Sequence, residues 1–397
     1  MSTINTDLIF FDAGGGHRSA AEALRLVMEE QGGWQVRLAN LQEILDPIDI
    51  VRKLTGLRMQ DLYNLMLKRG WTLGTGHTVH ILQAAIRLLH TRQVQLLETF
   101  WREHRPDVVV SVVPHFNRAL FQGLQHVWPD VPFVTIFTDL ADYPPHFWIE
   151  RQEQFFICGS DRAVEQAHEA GIRDGQIFRA SGMILHPRFY QPIRCDRRME
   201  RERCGLDPDL PTGLVLFGGQ GSRAMLEIAE RLDASSLDLQ LIFICGRNEK
   251  LAGKLRARRS RLKTYVEGFT RDVPHYMFLS DFFIGKPGPG SISEAVAMQL
   301  PVIVERNAWT LPQERYNADW LLEKQVGLVV RNPREIPRAG AKLLEPSTLA
   351  SYRQRAASLH NRAVYEIPTL LRRIVEGTTG AGVTEEESLH EKHTRQS

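Results

Sequence analysis

The chain alternates short apolar runs with longer stretches in which apolar residues recur at helical spacing. The runs show little alternation of polar and apolar residues, which is typical of strands buried on both faces of a parallel sheet. In the first half, helices are predicted over Ser19–Glu30 and Ser160–Ala170, and the interval from Val51 to His104 is predicted to be largely helical. The predicted strands there are Asp7–Ala13, Trp34–Leu41, Asp107–Val113, Phe133–Thr138, Gln154–Cys158 and Gln176–Ala180.

A stretch rich in proline and arginine, Pro187–Pro211, interrupts this pattern and is typical of a linker with one short helix. A second alternating series follows it. Its predicted strands are Gly213–Phe217, Leu239–Cys245, Lys263–Glu267, Phe282–Gly285, Pro301–Glu305 and Gly327–Val330. Its predicted helices are Arg223–Leu232, Glu249–Arg258, Ser291–Met298, Gln313–Lys324 and a final helix, Asn361–Glu376.

Alternating strands and helices predict two α/β domains, each a Rossmann-like, doubly wound parallel sheet, that face each other across a cleft. We predict an N-terminal domain over residues 1–190, a linker over 191–211 and a C-terminal domain over 212–360. A final helix over 361–376 and a disordered polar tail over 377–397 complete the prediction. The cleft between two such domains is the usual place for a ligand.

Composition is that of a globular protein, because 43% of the residues are hydrophobic and 24% are charged. No apolar run approaches the ~18–20 residues of a membrane-spanning helix. The charge is unevenly distributed: the interval 52–105 holds nine Lys and Arg residues against three Asp and Glu, although the net charge of the chain is only +2. This asymmetry predicts that one face meets an anionic partner. The four cysteines have no CxxC spacing, which argues against a zinc site or a disulfide framework.

A glycine-rich turn, Gly14, Gly15 and Gly16, joins the first predicted strand to the first helix and is followed by His17. Glycines let a ligand approach the backbone closely, and the start of the helix behind them favours negative charge. His17 would lie at the mouth of the cleft, where an imidazole can accept a proton from a hydroxyl group. A histidine that only packs in the loop is the alternative. The turn lacks the GxGxxG pattern, so a dinucleotide site is not indicated.

A second turn, Lys286 to Ala295, also joins a predicted strand to a helix. Gly288 and Gly290 free the backbone, and Ser291 is predicted to cap the helix, which suits a diphosphate at a helix N-terminus. Glu294 lies one turn further on and can accept hydrogen bonds from a ribose diol. A tight strand-to-helix turn without a ligand is the alternative.

Two weaker motifs lie in the second half. Gly218 and Gly219 belong to a third glycine turn, which indicates close approach to phosphate or sugar. Gln313, Glu314 and Asn317 lie about one helical turn apart, so their amides and carboxylate can bind sugar hydroxyls. On a surface helix the same residues would be solvated.

In this order, the motifs resemble those of the monogalactosyl- and glucosyldiacylglycerol synthases, relatives of the peptidoglycan glycosyltransferase MurG, over residues 7–345. The matching segments are Asp12–Arg18, Ser111–Pro114, Thr138–Leu140, Cys245–Leu251 and Lys286–Ala295. The resemblance implies the GT-B fold and transfer of a hexose, with inversion, from a UDP-sugar to diacylglycerol or a related membrane lipid. It implies neither a catalytic metal nor another cofactor.

The resemblance also implies roles for single residues. It makes His17 the general base or its close partner, with Asp12 or Asp139 as the candidates to assist it. Glu294 is expected on the ribose, and Arg247 and Phe269 near the uracil. The implied donor-binding residues are Gly218, Gly219, Gly246, Arg247, Phe269, Gly288, Gly290, Ser291, Glu294, Gln313, Glu314 and Asn317.

Two segments depart from the family pattern. The glycine turn at the start of the second half carries Gln220 and Ser222 and lacks the acidic residue expected in plant galactolipid synthases. Pro312 stands where a glycine is expected before Gln313, and Arg315 stands where a smaller residue is expected after Glu314. This departure leaves the identity of the sugar open between galactose, glucose and another hexose.

The basic interval occupies the family's membrane-docking and lipid-acceptor region. We therefore predict docking on an anionic membrane surface through Lys68, Arg69, Trp71, Arg87 and Arg92, with a core-facing amphipathic helix as the alternative. The protein is expected to be peripheral on the cytosolic face of the membrane and to bind no nucleic acid. Three other functions stay open: a GT-B transferase with a polyprenyl-linked or soluble acceptor, a UDP-sugar epimerase of the same fold, and a nucleotide-sugar-binding protein without catalysis.

Overall fold

The structure is a computed structural model that describes residues 3–12, 15–49, 58, 83–84 and 86–377. The first half forms a six-stranded parallel sheet in the order β2-β1-β3-β4-β5-β6. Its strands are β1 Ile4–Phe10, β2 Trp34–Asn40, β3 Val108–Ser111, β4 Phe133–Ile136, β5 Phe155–Cys158 and β6 Ile177–Arg179. Its helices are α1 Gly16–Gln31, α2 Leu41–Leu45, α3 His90–Glu103, α4 Asn117–Val127 and α5 Asp161–Glu169.

The second half forms another six-stranded parallel sheet, in the order β12-β11-β10-β7-β8-β9. Its strands are β7 Thr212–Leu216, β8 Gln240–Ile244, β9 Thr264–Glu267, β10 Phe282–Gly285, β11 Val302–Glu305 and β12 Gly327–Val330. The helices of this half and of the C-terminus are α6 Arg197–Arg203, α7 Ala224–Asp233, α8 Glu249–Arg256, α9 Val273–Leu279, α10 Pro289–Ala297, α11 Arg315–Glu323, α12 Ile336–Leu343, α13 Pro346–Ser358 and α14 Ala363–Val375.

Both sheets are buried on both faces, which explains why their strands lack polar alternation. Alternate residues of β8 pack into separate apolar clusters: Ile242 faces one side of the sheet with Phe283, and Phe243 faces the other side with Ile284. Each sheet has one topological switch point, where consecutive crossovers leave in opposite directions. These points lie between β1 and β3 and between β7 and β10, and such positions are the usual ligand crevices of open α/β sheets.

The twelve predicted strands are all present, with ends shifted by a few residues, and the short linker helix is present as α6. The largest shift is in the first strand, which was predicted over Asp7–Ala13 and runs over Ile4–Phe10. Within the interval predicted to be helical, the structure describes α3, and most of the remainder lies outside the described residues. The predicted disordered tail from residue 378 onwards also lies outside them.

Five helices, α2, α4, α9, α12 and α13, were not predicted. Three of them carry proline in the first turn: Pro274, Pro337 and Pro346. Proline interrupts an apolar pattern in the sequence, but at the first positions of a helix it costs nothing, because the amide that it lacks would have no intrahelical partner there. These three helices therefore begin where a break in the pattern was expected.

The last helix, α14, returns to the first sheet. Ile367 and Leu371 are fully buried and pack in the same cluster as Leu8 of β1 and Leu24 of α1. The chain therefore crosses between the halves twice, once before α6 and once between α13 and α14. The predicted domain limits stay a prediction.

Candidate active site

His17 lies at the switch point of the first sheet. The turn after β1 places it on the first turn of α1, and Gly15 before it adopts φ +83°, which glycine tolerates without strain. The His17 Nδ1 lies 3.0 Å from the Thr138 Oγ1, at the end of β4. Gly16 is the first residue of α1 and is exposed, whereas Gly14 lies outside the described residues.

A second histidine follows β3 at the same switch point. His115 adopts φ +70°, and its ring lies edge-on to that of Phe147 with 4.3 Å between centroids. Its Nδ1 has no hydrogen-bond partner among the described residues. The sequence analysis missed His115, although a histidine two residues after a predicted buried strand is a recognisable pattern.

The two imidazoles are kept neutral. Burial lowers the pKa of His17 to about 4, and a hydrogen bond to the Val112 carbonyl opposes this only partly. Burial lowers the pKa of His115 to about 4 as well, with a further contribution from His17. A neutral imidazole retains one unprotonated nitrogen, so His17 can act as a proton acceptor near pH 7.

Asp139 is the acidic residue of this site. Its carboxylate accepts a 3.0 Å hydrogen bond from the Trp148 Nε1, and the residue is 7% exposed. Burial raises its pKa to about 7, against the hydrogen bond from Trp148. The Trp148 ring also lies 6.1 Å from that of His17, so one indole contacts both groups. The other candidate, Asp12, is partly exposed and paired with Arg18 at 2.9 Å.

The second switch point carries the predicted donor turns. Gly218 and Gly221 follow β7 with φ +72° and +61°, and Gly246 follows β8 with φ +57°. A Cβ on Gly246 would lie 2.3 Å from the Gly219 carbonyl oxygen, so another residue does not fit there. The Arg247 amide donates to that same carbonyl at 2.9 Å. The turns after β7 and β8 are therefore packed backbone against backbone.

The predicted capping role of Ser291 is wrong. Helix α10 begins at Pro289 with Gly288 as its N-cap, and no side chain caps it. Proline supplies the helical φ angle at the first position, so the helix starts three residues earlier than a serine cap requires. The first amides of α10 therefore have no side-chain cap. A Cβ on Gly290 would meet nothing within 4 Å.

Glu294 is positioned by α10. Its carboxylate makes no hydrogen bond to another described residue, and burial raises its pKa to about 7, with Arg188 opposing the rise. A half-buried carboxyl group without a protein partner is free to accept hydrogen bonds from a ligand.

The turn before α11 is tied to the loop after β10. The Lys286 Nζ lies 2.6 Å from the Glu314 Oε1, and the Asn317 Nδ2 donates to the Pro287 carbonyl at 2.8 Å. Asn317 is wholly buried, so in this structure it holds the loop, whereas Gln313 is half-buried. Sequence reasoning assigned no role to Lys286, although it directly follows a predicted strand.

The predicted uracil residues lie together. The Arg247 guanidinium lies 5.0 Å from the centroid of the Phe269 ring, and Phe269 is 54% exposed. An exposed aromatic ring beside an arginine offers a flat surface on which a base can stack.

The predicted membrane residues fall mostly outside the described part of the chain. Lys68, Arg69 and Trp71 lie outside it, whereas Arg87 and Arg92 are described and exposed. Leu88, between them, is 84% exposed. None of the helices in the described ranges has the length and apolar character of a membrane span.

In those ranges, no three His, Cys, Asp or Glu side chains come together as a metal site.

The two switch points face each other. Asp139 of the first half interacts electrostatically with Glu314 and Lys286 of the second half. A further ion pair, Lys324 to Asp161 at 3.5 Å, joins the halves beside a cavity of about 350 Å³. The structure therefore places the histidine site and the glycine turns on opposite walls of one cleft.

Two facing parallel α/β sheets with a cleft between them define the GT-B architecture, and solved structures share the fold. The structure of MurG from Acinetobacter baumannii aligns with a TM-score of 0.58 and 13% identity, covering 94% of this chain and 99% of that one. The structure of MnaA from S. aureus with UDP aligns with a TM-score of 0.60 and 16% identity, covering 94% and 96%. At this level of identity the likeness concerns the fold alone.

Sequence comparison is more specific, because residues 17–182 match the model described as monogalactosyldiacylglycerol (MGDG) synthase and residues 214–361 match the glycosyltransferase family 28 C-terminal domain. The two matches together span most of the chain and confirm the resemblance seen in its motifs. The chloroplastic MGDG synthase of Spinacia oleracea is 29% identical over 358 residues, and MGDG synthase 2 of Arabidopsis thaliana is 29% identical over 357. The alignments cover 85% of this chain, and 66% and 73% of those proteins.

Proposed function

We propose that this protein transfers a hexose from a UDP-sugar to diacylglycerol, with inversion at the anomeric carbon. The observation that carries the proposal is the cleft itself, in which Asp139, joined to His17 through Trp148, interacts electrostatically with Lys286 and Glu314 of the other half. The relatives named above are galactolipid synthases by name, so galactose is the proposed sugar.

The proposed chemistry follows from the two walls of the cleft. The hydroxyl oxygen of the acceptor attacks the anomeric carbon, and His17 accepts the hydroxyl proton. The bond from that carbon to the diphosphate oxygen breaks, and UDP leaves with the electron pair. The free amides at the start of α10 stabilise the negative charge that develops on the diphosphate.

The donor would bind along the turns of the second sheet. In this proposal Glu294 accepts hydrogen bonds from the ribose, and Arg247 with Phe269 binds the uracil. Gly218, Gly219, Gly246, Gly288 and Gly290 provide the backbone surface, and Ser291 lies on the first turn of α10. The residues proposed to contact the hexose are Gln313, Glu314 and Asn317.

The direct test is incubation of the purified protein with radiolabelled UDP-galactose or UDP-glucose and diacylglycerol, followed by chromatography of the lipid phase. Label in monohexosyldiacylglycerol from UDP-galactose supports the proposal. Label in a polyprenyl-linked or soluble product supports the alternative acceptors instead. Conversion of the free UDP-sugar without a glycosylated product supports an epimerase, and no turnover with retained UDP binding supports a binding protein.

We extend the proposal to peripheral docking on the cytosolic face of an anionic membrane. Diacylglycerol lies in a bilayer, so the acceptor wall has to meet the lipid surface. Arg87, Leu88 and Arg92 present two cations and an exposed apolar side chain on the described part of that segment. Such a combination suits an interface with anionic headgroups.

The docking test uses sedimentation with phosphatidylglycerol vesicles at two salt concentrations. Each cation near an anionic surface contributes about 1 kcal/mol, so changing Lys68, Arg69, Arg87 and Arg92 together to Gln weakens binding by roughly 4 kcal/mol at most. Added salt reduces the difference, because the Debye length falls from ~10 Å at 0.1 M to ~3 Å at 1 M. Equal binding of the variant and the wild type would exclude this docking surface.

A further inference from the structure

The Lys286–Glu314 ion pair occupies the donor wall of the cleft. Glu314 is supplied by the turn before α11, and its side chain is 9% exposed, whereas the Lys286 side chain is 37% exposed. The buried carboxylate therefore holds a lysine whose ammonium group still reaches the solvent. Because the described structure gives Glu314 this one hydrogen bond, the lysine is its main compensation for burial.

Lys286 lies directly over both glycine turns. A Cβ built on Gly218 would lie 3.7 Å from the Lys286 Cε, and one on Gly288 would lie 3.4 Å from the Cε and 3.7 Å from the Nζ. The same Cβ on Gly288 would lie 3.7 Å from the Glu314 Oε1. The ammonium group and the carboxylate thus stand together at the N-terminus of α10, where the amides attract a negatively charged ligand.

We propose that Lys286 and Glu314 form an exchangeable ion pair, in which the diphosphate of the donor takes over Lys286 and the released Glu314 carboxylate turns to the hydroxyls of the donor hexose. This inference rests on the proposed function. It explains why a carboxylate is tolerated at the entrance to an anion site, where it would otherwise repel the ligand.

The charges of the groups involved favour the transfer of Lys286 from Glu314 to the diphosphate. A diphosphate carries at least two negative charges near neutral pH and offers several acceptor oxygens, so it competes well with one carboxylate for a lysine. The released carboxylate would remain buried and face Asp139 across the cleft, which is unfavourable unless it gains new donors. The hexose hydroxyls are such donors, and UDP without a sugar lacks them. Donor binding and reorganisation of the site are therefore linked through one pair of side chains.

The test is calorimetric titration of UDP and of uridine into four proteins: wild type, Lys286→Met, Glu314→Gln and the double variant. Lys286→Met weakens UDP binding about tenfold to a hundredfold, the range of a lost charge-assisted hydrogen bond, and leaves uridine binding unchanged. Glu314→Gln strengthens UDP binding several-fold, because Lys286 no longer has a competing partner. In the Lys286→Met background, Glu314→Gln has no further effect.

Whether Glu314→Gln strengthens or weakens UDP binding decides whether the two side chains form an exchangeable ion pair. Unchanged or weaker UDP binding by this isosteric variant overturns the proposal, and so does a gain of equal size in the Lys286→Met background, because a general change of charge would then explain it. Lys324→Met, which removes another ion-paired lysine of the second half, is the matched control and leaves UDP binding unchanged.

Two further readouts separate the outcomes. The ratio of UDP-hexose affinity to UDP affinity falls in Glu314→Gln, since the freed carboxylate is missing, and a constant ratio removes Glu314 from sugar binding. Lys286→Arg keeps the charge and retains UDP binding, which guards against a fold defect in Lys286→Met. If wild type binds no UDP, the proposed function fails, whereas normal UDP binding by Lys286→Met overturns this inference alone.

Discussion

The two walls of the cleft are built on nearly the same scaffold but carry different chemistry. Each is the switch point of a six-stranded parallel sheet, with loops that follow β1 and β3 on one side and β7 and β10 on the other. The first wall presents three titratable side chains, the half-buried His17 and His115 and the buried Asp139. The pKa of each is shifted in the direction that favours its uncharged form. The second wall presents glycine turns and a helix start.

The difference shows how one architecture serves two tasks. Binding a diphosphate needs many fixed donors at once, and backbone amides supply them when glycine keeps side chains out of the way. Accepting a proton needs one group that is uncharged before the reaction, and burial of a histidine provides it. The walls should therefore respond differently to substitution, the first in the chemical step and the second in donor affinity.

The largest effect is expected at His17. His17→Ala lowers the rate of transfer by ~10²–10⁴, the usual cost of losing a general base, and leaves UDP affinity unchanged. The measurements are initial rates and calorimetric titration of UDP. His126→Ala, which removes a surface histidine paired with Glu98, is the control and retains activity. Activity of His17→Ala within threefold of wild type would remove His17 from the mechanism.

The second prediction concerns Asp139, a residue of the first wall whose contribution to stability depends on pH. Its pKa is raised from 3.8 to about 7, so the folded state holds its proton more tightly than the unfolded chain, and its contribution to stability falls as the pH rises from about 4 to 7. Asp139→Asn avoids this loss and accepts the same Trp148 hydrogen bond. The variant gains up to about 4 kcal/mol over wild type at pH 8 and less at pH 5.

Melting temperatures at both pH values test this prediction, with Asp142→Asn as the comparison. Asp142 accepts a hydrogen bond from the Trp148 amide at 2.8 Å, and burial raises its pKa to about 6. A gain in Asp139→Asn that does not change with pH would show that Asp139 is ionised throughout.

On the second wall, Glu294→Ala weakens UDP binding by about 1.5–3 kcal/mol for each ribose hydrogen bond lost. Because the pKa of Glu294 is about 7, the carboxylate fraction increases from pH 6 to pH 8. Binding of uridine, which carries no phosphate, should strengthen over that range in wild type and stay constant in Glu294→Gln. Unchanged UDP affinity in a folded Glu294→Ala protein would mean that this carboxylate does not contact the nucleotide.

The smallest effect is expected at Asn317. Asn317→Ala leaves the Pro287 carbonyl without its donor, which costs roughly 1–3 kcal/mol of stability and loosens the loop that starts α10. UDP affinity and melting temperature should fall together. A loss confined to UDP-hexose binding, with normal stability, would instead identify Asn317 as a direct sugar contact.

Much of this site was predictable from local patterns. The turn before His17 and the turn from Lys286 to Gly288 each join a strand to a helix, and their glycines and the apolar runs before them are visible in the sequence. His115 and Trp148 were missed because they come from other loops and reach His17 only across the sheet. Ser291 was misassigned because a serine and a proline can both begin a helix, and here the proline does so.

By itself, the sequence determined the alternation of twelve strands with helices, the division into two series and the motifs of the family, because each depends on neighbouring residues. Tertiary structure alone decided which loops meet. Strand order places the turns after β1 and β3 side by side, and those after β7 and β10 likewise. It also returned α14 to the first sheet and set Asp139 opposite Lys286 and Glu314. Burial and the field of distant charges arise only when those segments pack, so the lowered pKa of His17 and the raised pKa of Asp139 are properties of the fold.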